Sequence, residues 1–87
     1  MSDGLPVFLA DSARIAAAVL TAEQRKKLIY TIRCIQRDPE LGKPYTLGND
    51  MSGRVVVVPG DAAVPGMTVG YRIGVTEIRI VHIVAGP

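Results

Sequence analysis

His82 is the one histidine of this sequence, and so the only side chain whose ordinary pKa lies near neutrality. Arg54, Arg72 and Arg79 stand in the same half of the chain, and a guanidinium fork matches the geometry of phosphate. An imidazole that moves a proton and cations that hold an anion are the chemically active groups on offer. Each also has a plainer use. Arg72 pairs equally well with a loop carboxylate such as Asp61 or Glu77, and His82, which by simple alternation shares a face with Ile78, Ile80 and Val84, suits a hydrogen-bonded core or interface position. Tyr71 is a ring for stacking on a base or for packing. Cys34 has no second cysteine and lies off the apolar stripe of its helix, near Tyr30 and Arg37, which leaves it a partly buried bystander. Glycine-rich phosphate loops, paired catalytic carboxylates and zinc-ligand spacing are absent, so no metal or cofactor is expected.

Those residues must be placed by few elements. Leu5-Pro6-Val7-Phe8-Leu9-Ala10 is short, apolar and carries a proline, as an edge strand does. Asp11 and Ser12 are N-cap residues for a first helix in which Ala13, Ile15, Ala16, Val19 and Leu20 recur at helical spacing. Thr21 followed three residues later by Gln24 is a capping box, with Glu23 in the first turn. The second helix then carries Leu28, Ile32 and Ile35 on one stripe, Ile29 on its flank and Lys26, Arg33 and Arg37 outside, and it stops before Pro39 at Arg37 or Asp38. Residues 38–53 hold Pro39, Gly42, Pro44, Gly48 and Gly53, a density that predicts a connecting loop. Arg54-Val55-Val56-Val57-Val58 predicts a strand, 60–66 a loop, and 67–73 with 78–85 a hairpin.

Eighty-seven residues leave room for one domain, residues 1–87, and for one core. About 60–65% of the unfolded surface can be buried at this size. Hydrophobic residues make up 48% and charged residues 21%, with mean hydropathy +0.28, so a disordered chain is excluded. No apolar run is long enough to span a bilayer, since residues 55–58 end at Pro59 and Arg79 and His82 break the last strand. Asp3, Asp11 and Arg14 interrupt any secretory signal. A cytoplasmic protein without membrane contact is expected. The net charge of +2 permits contact with nucleic acid without demanding it. The excess lies in residues 1–43, which carry seven Lys or Arg against five Asp or Glu.

Two helices followed by a meander predict an α+β domain, the helices packed on one face of a small, mainly antiparallel sheet with a short N-terminal edge strand. Val55, Val56, Val57 and Val58 have no polar member, and the last strand has apolar residues at both parities, Ile78, Ile80 and Val84 against Val81, Ile83 and Ala85. The helices can cover one face only. The other is expected to offer an apolar patch to a partner, through Val55, Val57, Ile80 and Val84, unless the N-terminal segment or the 60–67 loop folds over it. The partner could also be a second copy of the chain.

Four local motifs, in order, resemble the RelE/ParE toxin superfamily over nearly the whole chain: Asp38-Pro39-Glu40-Leu41-Gly42-Lys43-Pro44, Leu47-Gly48 with Gly53-Arg54, Gly70-Tyr71-Arg72-Ile73, and Ile78-Arg79-Ile80-Val81-His82-Ile83. The resemblance implies a toxin of a type II toxin–antitoxin system, held by an antitoxin protein. RelE-like members cleave mRNA on the ribosome and ParE-like members inhibit DNA gyrase. For the first activity the candidate catalytic residues are Arg72, the best-placed cation by motif, with Arg54 and the sole histidine His82, which lies three residues before the family's histidine position; Arg79, Tyr71 and Lys43 are the candidates for contacting RNA. Ala85-Gly86-Pro87 replaces the basic or histidine ending of the family, and residues 61–66 lengthen the loop before Tyr71. The alternative it implies is a gyrase inhibitor, or a member retained only for protein association.

Overall fold

The computed structural model describes residues 4–47 and 50–86. Strand β1 (Val7–Leu9) leads into helices α1 (Asp11–Ala18) and α2 (Ala22–Arg37), then a 3-10 turn (Pro39–Leu41) and strands β2 (Lys43–Leu47), β3 (Asp50–Val58), β4 (Met67–Ile73) and β5 (Ile78–Ala85). The strands form one sheet in the order β1-β5-β4-β3-β2, antiparallel except for the parallel pair β1 and β5. The two helices pack on this sheet, the α+β arrangement expected. Among the described residues no helix is long and apolar enough to cross a membrane.

α2 starts as its sequence dictates. The Thr21 hydroxyl accepts from the Gln24 N–H at 3.1 Å, and Gln24 Oε1 accepts from the Thr21 N–H at 3.0 Å, so two of the helix's otherwise unpaired donors are satisfied. Leu28 and Ile35 enter the core while Ile29 stays half exposed. α1 departs from expectation at its start: Ala10 is the N-cap, without a side-chain cap, and Asp11 is already helical. Its apolar residues also divide, Ala13 being fully buried while Ile15 and Val19 face solvent. The helix lies against β5, where a methyl group permits close approach.

Residues 38–53 are not a plain loop. They form the 3-10 turn, all of β2 and the start of β3. Proline is admitted because β2 is an edge strand. Gly48, part of one motif, lies outside the described residues, as does Pro87.

The core is a contiguous cluster of Ala13, Leu20, Leu28 and Ile35 from the helical layer against Met67, Val69, Tyr71, Ile78, Ile80 and Ile83 from β4 and β5. Ile83 belongs to it because β5 carries a bulge. Tyr71 stands opposite Ile80 and Gly70 opposite His82, which leaves Val81 as an extra residue. Beyond Val81 the parity of the strand is reversed. Ile78, Ile80 and Ile83 therefore all face the helices, and His82 and Val84 face away with Arg79. The expected sharing of one face by His82 and Val84 with Ile78 and Ile80 is corrected by this one residue.

Where β1 ends against β5, the chain turns into α1. The Ala10 N–H donates to the Ile80 carbonyl at 2.8 Å, and the Ser12 hydroxyl donates to the Val81 carbonyl at 2.9 Å. Ser12 thus serves the bulge and not the helix cap. If the bulge sets the faces, Ile80→Ala should cost about 2–5 kcal/mol of stability in urea unfolding, against about 1 kcal/mol or less for Val84→Ala. Equal losses would mean that the two share a face.

Candidate functional site

The sheet face turned away from the helices collects most of the polar side chains of the strands. Pairing across it places Tyr45, Gly53, Arg72, Arg79 and Phe8 in one row. The next row holds Lys43, Val55, Gly70 and His82, and the third Val57, Thr68 and Val84. Arg72 and Arg79 are exposed and directly opposite one another. Side chains so paired stand about 5 Å apart at Cβ, close enough for both cations to act on one anion.

His82 is half buried in the second row because Gly70 leaves it space. A Cβ at position 70 would run into the imidazole ring. The ring instead lies across the glycine toward Tyr45, with centroids 6.2 Å apart and planes at 70°, an edge-to-face contact. Tyr45 is absent from the residues singled out in sequence, since it lay in the presumed loop. The β-forming run of Tyr45, Thr46 and Leu47 was the available signal, masked by Pro44 and Gly48. Phe8, half exposed at the end of the first row, was likewise missed.

Two residues expected among these cations and rings are elsewhere. Arg54 pairs in register with Tyr71 and Pro44, on the helix side of the sheet. Its guanidinium donates to the carbonyls of Gly42 at 2.7 Å and Glu40 at 3.4 Å. Tyr71 is fully buried, so it offers no face to a base. Its hydroxyl donates to the Pro39 carbonyl at 2.6 Å and accepts from the Gly42 N–H at 2.9 Å. A Cβ at Gly42 would lie 2.8 Å from that hydroxyl oxygen, so the close approach requires glycine. The Asp38 carboxylate caps the same turn by accepting from the Glu40 N–H at 3.3 Å. Arg54 and Tyr71 are therefore fasteners of the turn between α2 and β2. Burial pushes the Tyr71 hydroxyl above its ordinary pKa, opposed by the Gly42 N–H and the Arg54 charge.

Arg79 is engaged by Glu77. Its Nε and Nη2 donate to one carboxylate oxygen of Glu77 at 2.9 and 2.5 Å. Asp61, the other carboxylate expected to meet an arginine, is 3.5 Å from Lys27 and accepts from the Ala63 and Val64 N–H groups, which lower its pKa. Among the described residues no group of three His, Cys, Asp or Glu comes together as a metal site.

Of the four residues expected to meet a partner, Val55, Val57 and Val84 lie on the open face, Val57 being 69% exposed, whereas Ile80 is 0% exposed in the core. A second apolar surface lies at the sheet edge. β2 pairs with β3 only as far as Lys43 opposite Val55, so the outer edge of residues 56–58 has no strand partner among the described residues. Between that edge and α2 runs a groove of about 540 Å³, with Tyr30, Thr31 and Cys34 on one wall, Val56 and Val58 on the other, and Lys26 and Lys27 at its rim.

Comparison with known proteins decides what kind of scaffold this is. No protein-family model matches the chain, and no curated protein matches it. Among solved structures it is similar to the E. coli toxin RelE, in a double arginine-to-alanine mutant in the free state, with a TM-score of 0.73 over 93% of this chain and 82% of that one. The fold is RelE-like. Sequence identity in that superposition is 12%, so the likeness is one of element order and packing. Within the RelE-like fold, the buried hydroxyl of Tyr71 makes a testable statement. Its pKa is raised above the unfolded value near 10.0, so its contribution to stability is complete below about pH 10 and is lost as pH rises through the folded pKa. Alkaline absorbance titration should show a late-ionising tyrosine that disappears in Tyr71→Phe. That variant should also be about 1–3 kcal/mol less stable at neutral pH, because Gly42 N–H and Pro39 C=O lose their partner.

Proposed function

We propose that this chain is a RelE-type toxin that cleaves mRNA on the ribosome in the cytoplasm and is restrained by an antitoxin protein. The single observation that carries the reading is the composition of the helix-free sheet face. Arg72, Arg79, Lys43 and His82 share it with the rings of Tyr45 and Phe8. Cations with aromatic side chains on an open sheet suit a single-stranded nucleic acid, whose phosphates they neutralise and whose unstacked bases they support. Cleavage without a metal requires a base for the 2′-hydroxyl proton. The 2′-oxygen then bonds to phosphorus as the bond to the 5′-oxygen breaks, and the leaving oxygen takes a proton. His82 is the group for proton transfer, Arg72 and Arg79 meet the charge growing on phosphate, and Tyr45 supports a base. Arg54 and Tyr71 hold the turn and have no part in the chemistry.

The antitoxin reading draws on the groove beside residues 56–58. An extended apolar segment laid there would gain main-chain hydrogen bonds from the unpaired edge of β3, and acidic residues flanking it would meet Lys26 and Lys27.

Purified chain added to translating ribosomes should cut mRNA, read by primer extension. Arg72→Ala should slow single-turnover cleavage by about 10²–10³-fold, and His82→Gln by about 10²–10⁴-fold. Arg54→Met, corrected for its folded fraction, should retain the wild-type rate. Failure of the wild type to cut overturns the reading. Inhibition of gyrase supercoiling without cleavage would assign the chain to the gyrase-binding class instead.

A further inference from the structure

The Glu77 carboxylate is seated on the guanidinium of Arg79. Glu77 precedes β5 in the turn closed by the Gly74 N–H donating to the Glu77 carbonyl at 2.8 Å, so its backbone is held. Its side chain is 28% exposed against 53% for Arg79, and one carboxylate oxygen receives both Nε and Nη2 of that guanidinium. The pair forms a wall common to two concavities. One, of about 240 Å³, is lined by Arg72, Ile73 and Gly74, and the other, of about 570 Å³, by Phe8, Leu9 and Arg14. Arginines therefore stand on both sides of a carboxylate that already holds the middle one. Arg72 and Arg79 are cross-strand partners on the open face, and in the isolated chain the Glu77 carboxylate is an anion already seated on Arg79.

We infer that Glu77 is a built-in competitor for Arg79, which attenuates anion binding on the open face until a backbone phosphate of single-stranded RNA exchanges for its carboxylate. The inference rests on the RNA-binding reading of that face. The exchange is balanced in hydrogen bonds, because phosphate accepts the same two N–H donors and the released carboxylate returns to water. Its cost is modest, because the pair is a surface one.

The test is binding of a fluorescent single-stranded oligoribonucleotide to the purified full chain over a salt series. Glu77→Gln should tighten binding by about two- to five-fold at low salt. The dependence of log K on log salt should keep its slope, because wild type and variant make the same Arg79–phosphate contact once bound. Glu23→Gln is the control, because it removes the same charge beside Lys26 on α2. The gain of Glu77→Gln over that control should vanish when both are placed on Arg79→Ala. A gain no larger than that of Glu23→Gln, or one that persists without Arg79, overturns the competitor and leaves the RNA reading standing. Absence of binding by wild type and Glu77→Gln alike overturns both.

Discussion

One extra residue in the last strand decides which side chains this protein shows. Val81 has no opposite number on β4, and the parity of β5 changes across it. Without the bulge, His82 would point into the apolar layer with Ile78 and Ile80, and Ile83 would be turned outward. An imidazole there would lose much of its hydration, and a buried isoleucine would be forfeited. The bulge is secured by the segment that crosses from β1 into α1, through Ala10 N–H and the Ser12 hydroxyl, which bind the carbonyls of Ile80 and Val81. A crossover connection at one edge of the sheet thereby sets the chemistry of its opposite face.

The second constraint is the turn between α2 and β2. Asp38 caps it, Tyr71 reaches it from β4 with both functions of its hydroxyl, Arg54 reaches it from β3, and Gly42 makes room. These residues belong to three of the four motifs by which the sequence resembles the RelE/ParE superfamily. Their spacing is tied to closing a turn and attaching it to two strands, which is a demand of the fold. A chain can meet that demand at 12% identity to a solved RelE structure. Motifs of this kind report architecture more securely than activity.

The open face is neither the continuous apolar patch expected nor an ordinary wet surface. Val55, Val57, Val84, Tyr45 and Phe8 lie among Lys43, Arg72, Arg79, His82 and Thr68. The apolar surplus read from the four consecutive valines is shared instead between this face, the core and the groove at the β3 edge. Val56 and Val58 pack toward the core and also line the groove. An unpaired strand edge beside an apolar trough is a liability for a small protein, and it is met by a partner or by charge at its rim, here Lys26 and Lys27.

Local chemistry settled much of this in advance. The capping box at Thr21 and Gln24, the end of α2 before Pro39, the hairpin of 67–73 with 78–85 and the edge position of β1 follow from interactions within a few residues of one another, so they are legible in one dimension. The α+β class follows as well, because two amphipathic helices and a greasy meander have few ways to cover each other. Tertiary structure alone decided the rest. The strand β2 forms despite Pro44 because it falls at a sheet edge. Ser12 leaves its cap because a carbonyl 69 positions away needs a donor. Arg54 and Tyr71 turn inward, while His82 turns out over Gly70, because strand parity depends on a pairing partner that the order of residues does not name.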